Sequence, residues 1–152
     1  MRSKRISGRC GETFRGTIAD ALSRCGHSFH HLVPISRRSL IDEAADALDA
    51  ATSAGEFIHV PSICIVELTY LVEKGRLPSA ARDRLIQALD DPATPCLLAP
   101  LDRSVLDALE SVSRGEVPDM PDRIVTATAL ALRVPLISRD WKIRATRIQT
   151  IW

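Results

Sequence analysis

Residues 57–75 read Phe57-Ile58-His59-Val60-Pro61-Ser62-Ile63-Cys64-Ile65-Val66-Glu67-Leu68-Thr69-Tyr70-Leu71-Val72-Glu73-Lys74-Gly75. Phe57 to Val60 is short and apolar-rich, which predicts a strand. Pro61 suits the first position of a helix, where its missing N–H costs nothing. The apolar run then carries a helix to Gly75, which can take the left-handed conformation that closes it. This helix is apolar nearly all round, so it is expected to pack on both sides. Glu67 is the only charge between Pro61 and Val72, and it shares a face with Ile63 and Leu71 at i, i+4 and i+8. An unpaired buried carboxylate is costly, so Glu67 either reaches solvent at an edge or has a partner.

The same punctuation extends outward in both directions. Upstream, Ser39 with Asp42 three residues on forms a candidate capping box. Leu40, Ile41, Ala44, Ala45, Leu48 and Ala51 continue a helical stripe that Gly55 ends. Downstream, Pro78 opens a helix carrying Leu85, Ile86 and Leu89, and Leu97 to Ala99 is a strand candidate. Asp102 can cap a helix with Val105, Leu106, Leu109 and Val112 inward. A polar loop over 113–120 leads to a helix from Pro121 to Arg133, then the strand Val134 to Ser138, a short helix from Asp140 and a last strand from Arg147 to Trp152. Short apolar strands alternating with helices predict an α/β fold with a mostly parallel sheet and helices on both faces. Ligands in such sheets sit beyond the carboxyl ends of the strands.

Two further acids stand at the starts of later helices, and one of them, Asp140, also at such a strand end. Asp122 lies in Pro118-Asp119-Met120-Pro121-Asp122-Arg123, just ahead of an apolar helix. Asp119 and Asp122 fit a helix cap and its third-position acid, favoured by the helix dipole. Asp140 follows the strand Pro135-Leu136-Ile137-Ser138-Arg139 and fits either a helix cap or a ligand crevice. Glu67, Asp122 and Asp140 thus come from separate elements that can converge. Clustered carboxylates repel one another unless a cation neutralises them. An all-oxygen set suits Mg²⁺ or Mn²⁺ rather than zinc.

The composition sets bounds. The 152 residues suit one domain, and 45% hydrophobic with 26% charged residues is the balance of a globular chain. A net charge of +1 argues against indiscriminate coating of nucleic acid. No apolar stretch reaches membrane-spanning length. The basic start Met1-Arg2-Ser3-Lys4-Arg5 lacks the apolar run of a secretion signal. Cys10, Cys25, Cys64 and Cys96 form no C-x-x-C pair, as expected for reduced thiols in a cytoplasmic protein.

Val60 to Leu68 followed by Leu71 to Leu77 resembles the helix that carries the acidic Glu of PIN-domain toxins of the VapC type. Pro121-Asp122-Arg123-Ile124-Val125-Thr126-Ala127-Thr128-Ala129-Leu130 resembles their second acidic segment. Val134-Pro135-Leu136-Ile137-Ser138-Arg139-Asp140 resembles their third, and Ile148 to Trp152 their closing strand. Asp122 and Asp140 stand 18 residues apart, which fits the pattern. The resemblance covers 39–152 and implies a three-layer PIN-like fold. It implies a metal-dependent endoribonuclease, the toxin of a toxin–antitoxin pair, with RNA as substrate, a small antitoxin protein as partner and a homodimeric state. Glu67, Asp122 and Asp140 would be the catalytic metal ligands for Mg²⁺, or Mn²⁺, and would position the attacking water. Asp119 would be an outer member or a cap. Arg123 and Arg139 would contact phosphate or remain solvated surface residues.

One part of the pattern is missing. The family opens with an apolar strand ending in Asp-Thr-His or Asp-Thr-Asn, whose Asp is the first of the acidic set. At the corresponding place this chain reads Gly26-His27-Ser28-Phe29-His30-His31-Leu32-Val33-Pro34. Shifting the reading by one nucleotide inside the Gly26 codon can spell, with permitted codons, Asp-Thr-His-Ser-Thr-Ile-Trp-Tyr-Leu. Residues 1–38 are therefore expected to be an out-of-frame, poorly ordered segment, and 39–152 the folded domain. The lost strand would be central, so the chain is expected to be poorly stable and weakly active or inactive. Asp20 could replace the lost acid only if Thr17 to Leu22 formed a strand. An alternative role is a PIN-fold binding module impaired in catalysis; a third is an unrelated α/β protein whose acids are only caps.

Overall fold

The computed structural model describes residues 37–151. Its elements run α1 (Arg37–Ser53), β1 (Ile58–Pro61), α2 (Ser62–Glu73), α3 (Ser79–Asp90), β2 (Cys96–Ala99), α4 (Arg103–Leu109), α5 (Met120–Leu132), β3 (Leu136–Ile137), α6 (Trp141–Arg144) and β4 (Thr150–Ile151). The architecture is mixed α/β with parallel strands, as the alternation predicts. The candidate helix from Thr17, the residues Asp20, Cys10, Cys25, His27, His30 and His31, and Trp152 lie outside the described residues.

β1 pairs with β2 in parallel, from Ile58 against Cys96 to Pro61 against Ala99. β3 pairs with β4 in parallel, Leu136 against Thr150 and Ile137 against Ile151. Among the described residues the two pairs do not join into one sheet. The strand expected over Val134 to Ser138 is thus reduced to two residues. Pro135 lacks an amide hydrogen and limits its start. The closing strand is shortened in the same way, to Thr150–Ile151.

The turn chemistry explains most boundaries. Gly55 and Gly75 adopt φ of +76° and +65° behind α1 and α2, the conformation glycine enters without Cβ strain. Arg133 closes α5 in the same left-handed region at φ 57°. Two expected starts move. α1 already runs from Arg37, so Ser39 sits inside its first turn rather than at the cap. Pro61 is the last residue of β1 and the N-cap of α2 at φ −57° and ψ 135°, not the first helical residue. Its ring fixes a φ that serves both roles. Pro78 likewise caps α3. Asp102 caps α4 as expected, its carboxylate accepting from the Val105 N–H at 3.1 Å.

Two apolar clusters hold the fold. One gathers Val60, Leu68, Leu77 and Leu85 around β1, α2 and α3. The other gathers Val105, Val112, Val117, Ala127 and Ile143 around α4, α5 and α6. Leu106, expected inward, is 47% exposed, because a seven-residue helix offers one narrow face and Val105 takes it. Polar side chains reinforce both clusters. Thr69 Oγ1 accepts from Arg82 Nε at 3.2 Å, tying α2 to α3. The Arg123 guanidinium donates to the carbonyls of Leu109 at 3.3 Å and Val112 at 3.0 Å, which fastens α5 to the end of α4. No described helix is long and apolar enough to cross a membrane.

Candidate functional site

Three elements bring acids toward one another. α2 packs against α5, which sets Glu67 and Asp122 on adjoining elements, both half-buried. Their proximity is visible at Cys64, one turn before Glu67 on α2. Burial pushes the Cys64 thiol up to about 12, and the negative charges of Glu67 and then Asp122 push in the same direction. A thiol held so far up stays protonated at neutral pH and is not a nucleophile.

Asp122 is the electrostatic centre of the group. Desolvation raises its carboxyl to about 6 from an ordinary 3.8, with Asp140 and then Asp119 adding like-charge repulsion and Lys142 opposing them. Asp122 sits in the first turn of α5. Asp119 occupies the N-cap of that helix, but its carboxylate makes no capping hydrogen bond. Its backbone carbonyl accepts from Arg123 instead, at 3.0 Å. The expectation of Asp119 as an ordinary side-chain cap is therefore corrected. Its carboxylate is free of that duty and exposed.

Asp140 meets the helix-cap reading. It caps α6, accepting from the Lys142 N–H at 2.7 Å, and it raises Asp122 from just beyond β3. Its own N–H donates to Ser138 Oγ at 3.2 Å, which fixes the turn. The capping bond engages one carboxylate oxygen, Oδ1. A carboxylate accepts through two oxygens.

Arg123 is not aimed at a phosphate, since its guanidinium serves the two carbonyls of α4 and the following turn. Arg139 is exposed. Lys142 and Cys64 belong to the site's electrostatics and had not been singled out for it. Their signals were present: Lys142 stands two residues after Asp140, and Cys64 stands three before Glu67 on the same helical side.

The like-charge repulsion from Asp140 and Asp119, which adds to the desolvation of Asp122, is relieved by a cation, and the donors here are all oxygen, which suits Mg²⁺ or Mn²⁺. Among the described residues no three His, Cys, Asp or Glu side chains gather closely enough to enclose an ion. That arrangement fits a largely hydrated ion, because Mg²⁺ keeps several waters and commonly takes only one or two carboxylates. Asp122 and Asp140, with Glu67 on the adjoining helix, are the candidates to hold it. In comparisons with known proteins, the family model described as PIN domain matches residues 28–149. No curated protein and no solved structure matches the chain.

Proposed function

The chain belongs to the PIN domain family, a nuclease fold, and from that premise we propose that it descends from a Mg²⁺- or Mn²⁺-dependent endoribonuclease, the toxin of a toxin–antitoxin pair. The observation that carries this reading is the raised carboxyl of Asp122 beside Asp140 and Asp119. Glu67 on α2, Asp122 and Asp140 would hold the ion and position the attacking water. A bound divalent ion supplies the nucleophilic water and neutralises charge on the phosphoryl oxygens. The Asp140 cap on α6 keeps that carboxylate in place before the ion arrives, so little ordering is left for binding. Single-stranded RNA is the substrate class, an antitoxin protein the regulator, a homodimer the assembly and the cytoplasm the location. Residues 39–152 form the working domain.

A second reading has its own support. No acid stands between Asp20 and Asp42, where the family's opening strand would bring its first carboxylate. For the chain as written, this favours a binding module that holds RNA or antitoxin without cutting. Both readings meet in one experiment: Mn²⁺ titration by calorimetry alongside cleavage of a labelled single-stranded RNA, on the full chain and on Asp122→Asn and Asp140→Asn. Metal binding and cleavage that both variants abolish support the nuclease. Binding without cleavage supports the module. If the variants alter stability but the chain never binds metal, both readings fail and the acids are only caps.

A further inference from the structure

The short helix α6 buries Ile143 and leaves its largest side chain, Trp141, 61% exposed. A single exposed apolar residue is ordinary, so its surroundings decide what it means. Three aromatic side chains are exposed among the described residues. Phe57 lines the apolar cleft between β1 and β3. Tyr70 carries the Lys74 ammonium 5.8 Å from its ring centre. Trp141 has neither role.

Its neighbours are basic. Residues 139–147 hold Arg139, Lys142, Arg144 and Arg147 against one acid, Asp140, a local charge of +3 in a chain whose net charge is +1. The rest of the chain therefore sums to −2, and the basic excess is concentrated here. Arg144 and Arg147 are exposed, and among the described residues neither guanidinium pairs with a carboxylate. Arg144 stands three residues after Trp141, on the same side of α6. The indole is also fixed relative to the candidate metal site. The Asp140 carboxylate accepts from the Lys142 N–H at 2.7 Å, a bond that spans Trp141. The Arg144 N–H donates to the Asp140 carbonyl at 3.0 Å.

An exposed aromatic face beside two guanidiniums suits a polyanion that carries flat rings of its own. Each nucleotide of a single strand offers both, a base face and a phosphate. A duplex hides the faces in its stack. An acidic peptide would satisfy the cations and leave the indole in water. Residues 1–36 carry six basic side chains and two acidic ones, so they are not the cover that the charge of this surface selects.

We propose that Trp141 is a base-stacking contact for single-stranded RNA, with Arg144 and Arg147 on the flanking phosphates. The choice of RNA rests on the nuclease reading; the stacking and charge contacts need neither metal nor cleavage.

The test uses the full chain in EDTA at low salt, with a labelled single-stranded oligoribonucleotide of mixed sequence. Anisotropy reads its Kd, and tryptophan emission reads the indole. The wild type should bind, with its emission quenched. Trp141→Ala should weaken binding about tenfold and leave the thermal midpoint unchanged. Trp141→Phe should recover most of the affinity without the quenching, because a phenyl ring stacks but lacks indole emission. Arg144→Gln and Arg147→Gln should each lower the slope of log Kd against log salt by about 0.7. Equal Kd for the wild type and Trp141→Ala would overturn the proposal, and so would no binding at all. Equal affinity for the strand annealed to its complement would overturn it too, since base faces would then play no part. Displacement of the strand by oligoglutamate that itself binds with the same dependence on Trp141 would replace it with an acidic-peptide site. Because the assay contains no metal, these outcomes are separate from metal binding by the acids. A chain that binds the strand through Trp141 but never binds Mn²⁺ loses the nuclease reading and keeps this contact.

Discussion

The half built from β1, β2, α2 and α3 and the half built from β3, β4 and α4 to α6 solve the same packing problem with different side chains. The first relies on leucines, Leu68, Leu77 and Leu85, around Val60. The second relies on Val105, Val112, Val117 and Ala127 with Ile143. Bulky leucines hold helices apart and bury much apolar area each. Small residues let α4 and α5 approach closely, and Arg123 then binds the α4 end through carbonyls rather than grease. The division of labour follows: one half supplies bulk apolar stability and a single acid, Glu67. The other supplies a close-fitting frame that tolerates Asp122 beside Asp140 and Asp119.

The sharpest way to break the first half is Leu68→Ala. Leu68 is 2% exposed, and a cavity at a buried leucine costs about 3 kcal/mol. Urea unfolding should show that loss, while Leu68→Met should cost less than about 1.5 kcal/mol. The second half should fail in the opposite sense. Ala127 is fully buried, so Ala127→Leu overpacks the contact and should cost about 2 kcal/mol. If the leucine were accommodated without loss, the close approach of α4 and α5 would be wrong.

Asp122→Asn should stabilise. In the wild type the folded carboxyl titrates near 6 and the unfolded one near 3.8, so the folded state holds the extra proton between those values. Its stability is greatest below about pH 4, falls as pH rises toward 6, and levels off above. The Asn variant lacks this fall. In EDTA at pH 7.5 it should be more stable by about 1 kcal/mol after allowance for solvent screening, and the advantage should vanish at pH 4. Adding Mn²⁺ should stabilise the wild type and not the variant. The smallest effect expected is Asp102→Ala, the loss of one exposed helix cap, read as a slight fall in the urea midpoint.

Much of the fold was legible because its boundaries are set by single residues. Gly55, Gly75, Asp102 and Asp140 each carry a local constraint that holds wherever the chain goes, and each ends or starts an element where expected. Ser39 and Leu106 were misread because their roles depend on neighbours: where α1 begins, and which side of a short helix meets the core. The strand over Val134 to Ser138 was overestimated because ladder length depends on what pairs with it, and β4 offers two residues. In the candidate site, the acids were readable as charges that interrupt apolar runs. The capping failure of Asp119 and the carbonyl grip of Arg123 were not, since both are tertiary. The shifted-frame string at Gly26 remains a statement about DNA. Sequencing codons 20 to 40 checks it directly, and the expected outcome is the Asp-Thr-His string in the second frame.

Pro61 belongs at once to β1 and to the cap of α2. A strand and a helix that share one residue with a locked φ have almost no joint between them. Glu67 lies six residues beyond, about 9 Å along the helix. The helix therefore behaves as a stiff lever rooted in the strand. A tilt of β1 by a few degrees would swing the Glu67 carboxylate by a fraction of an ångström, with no loop in between to absorb the motion.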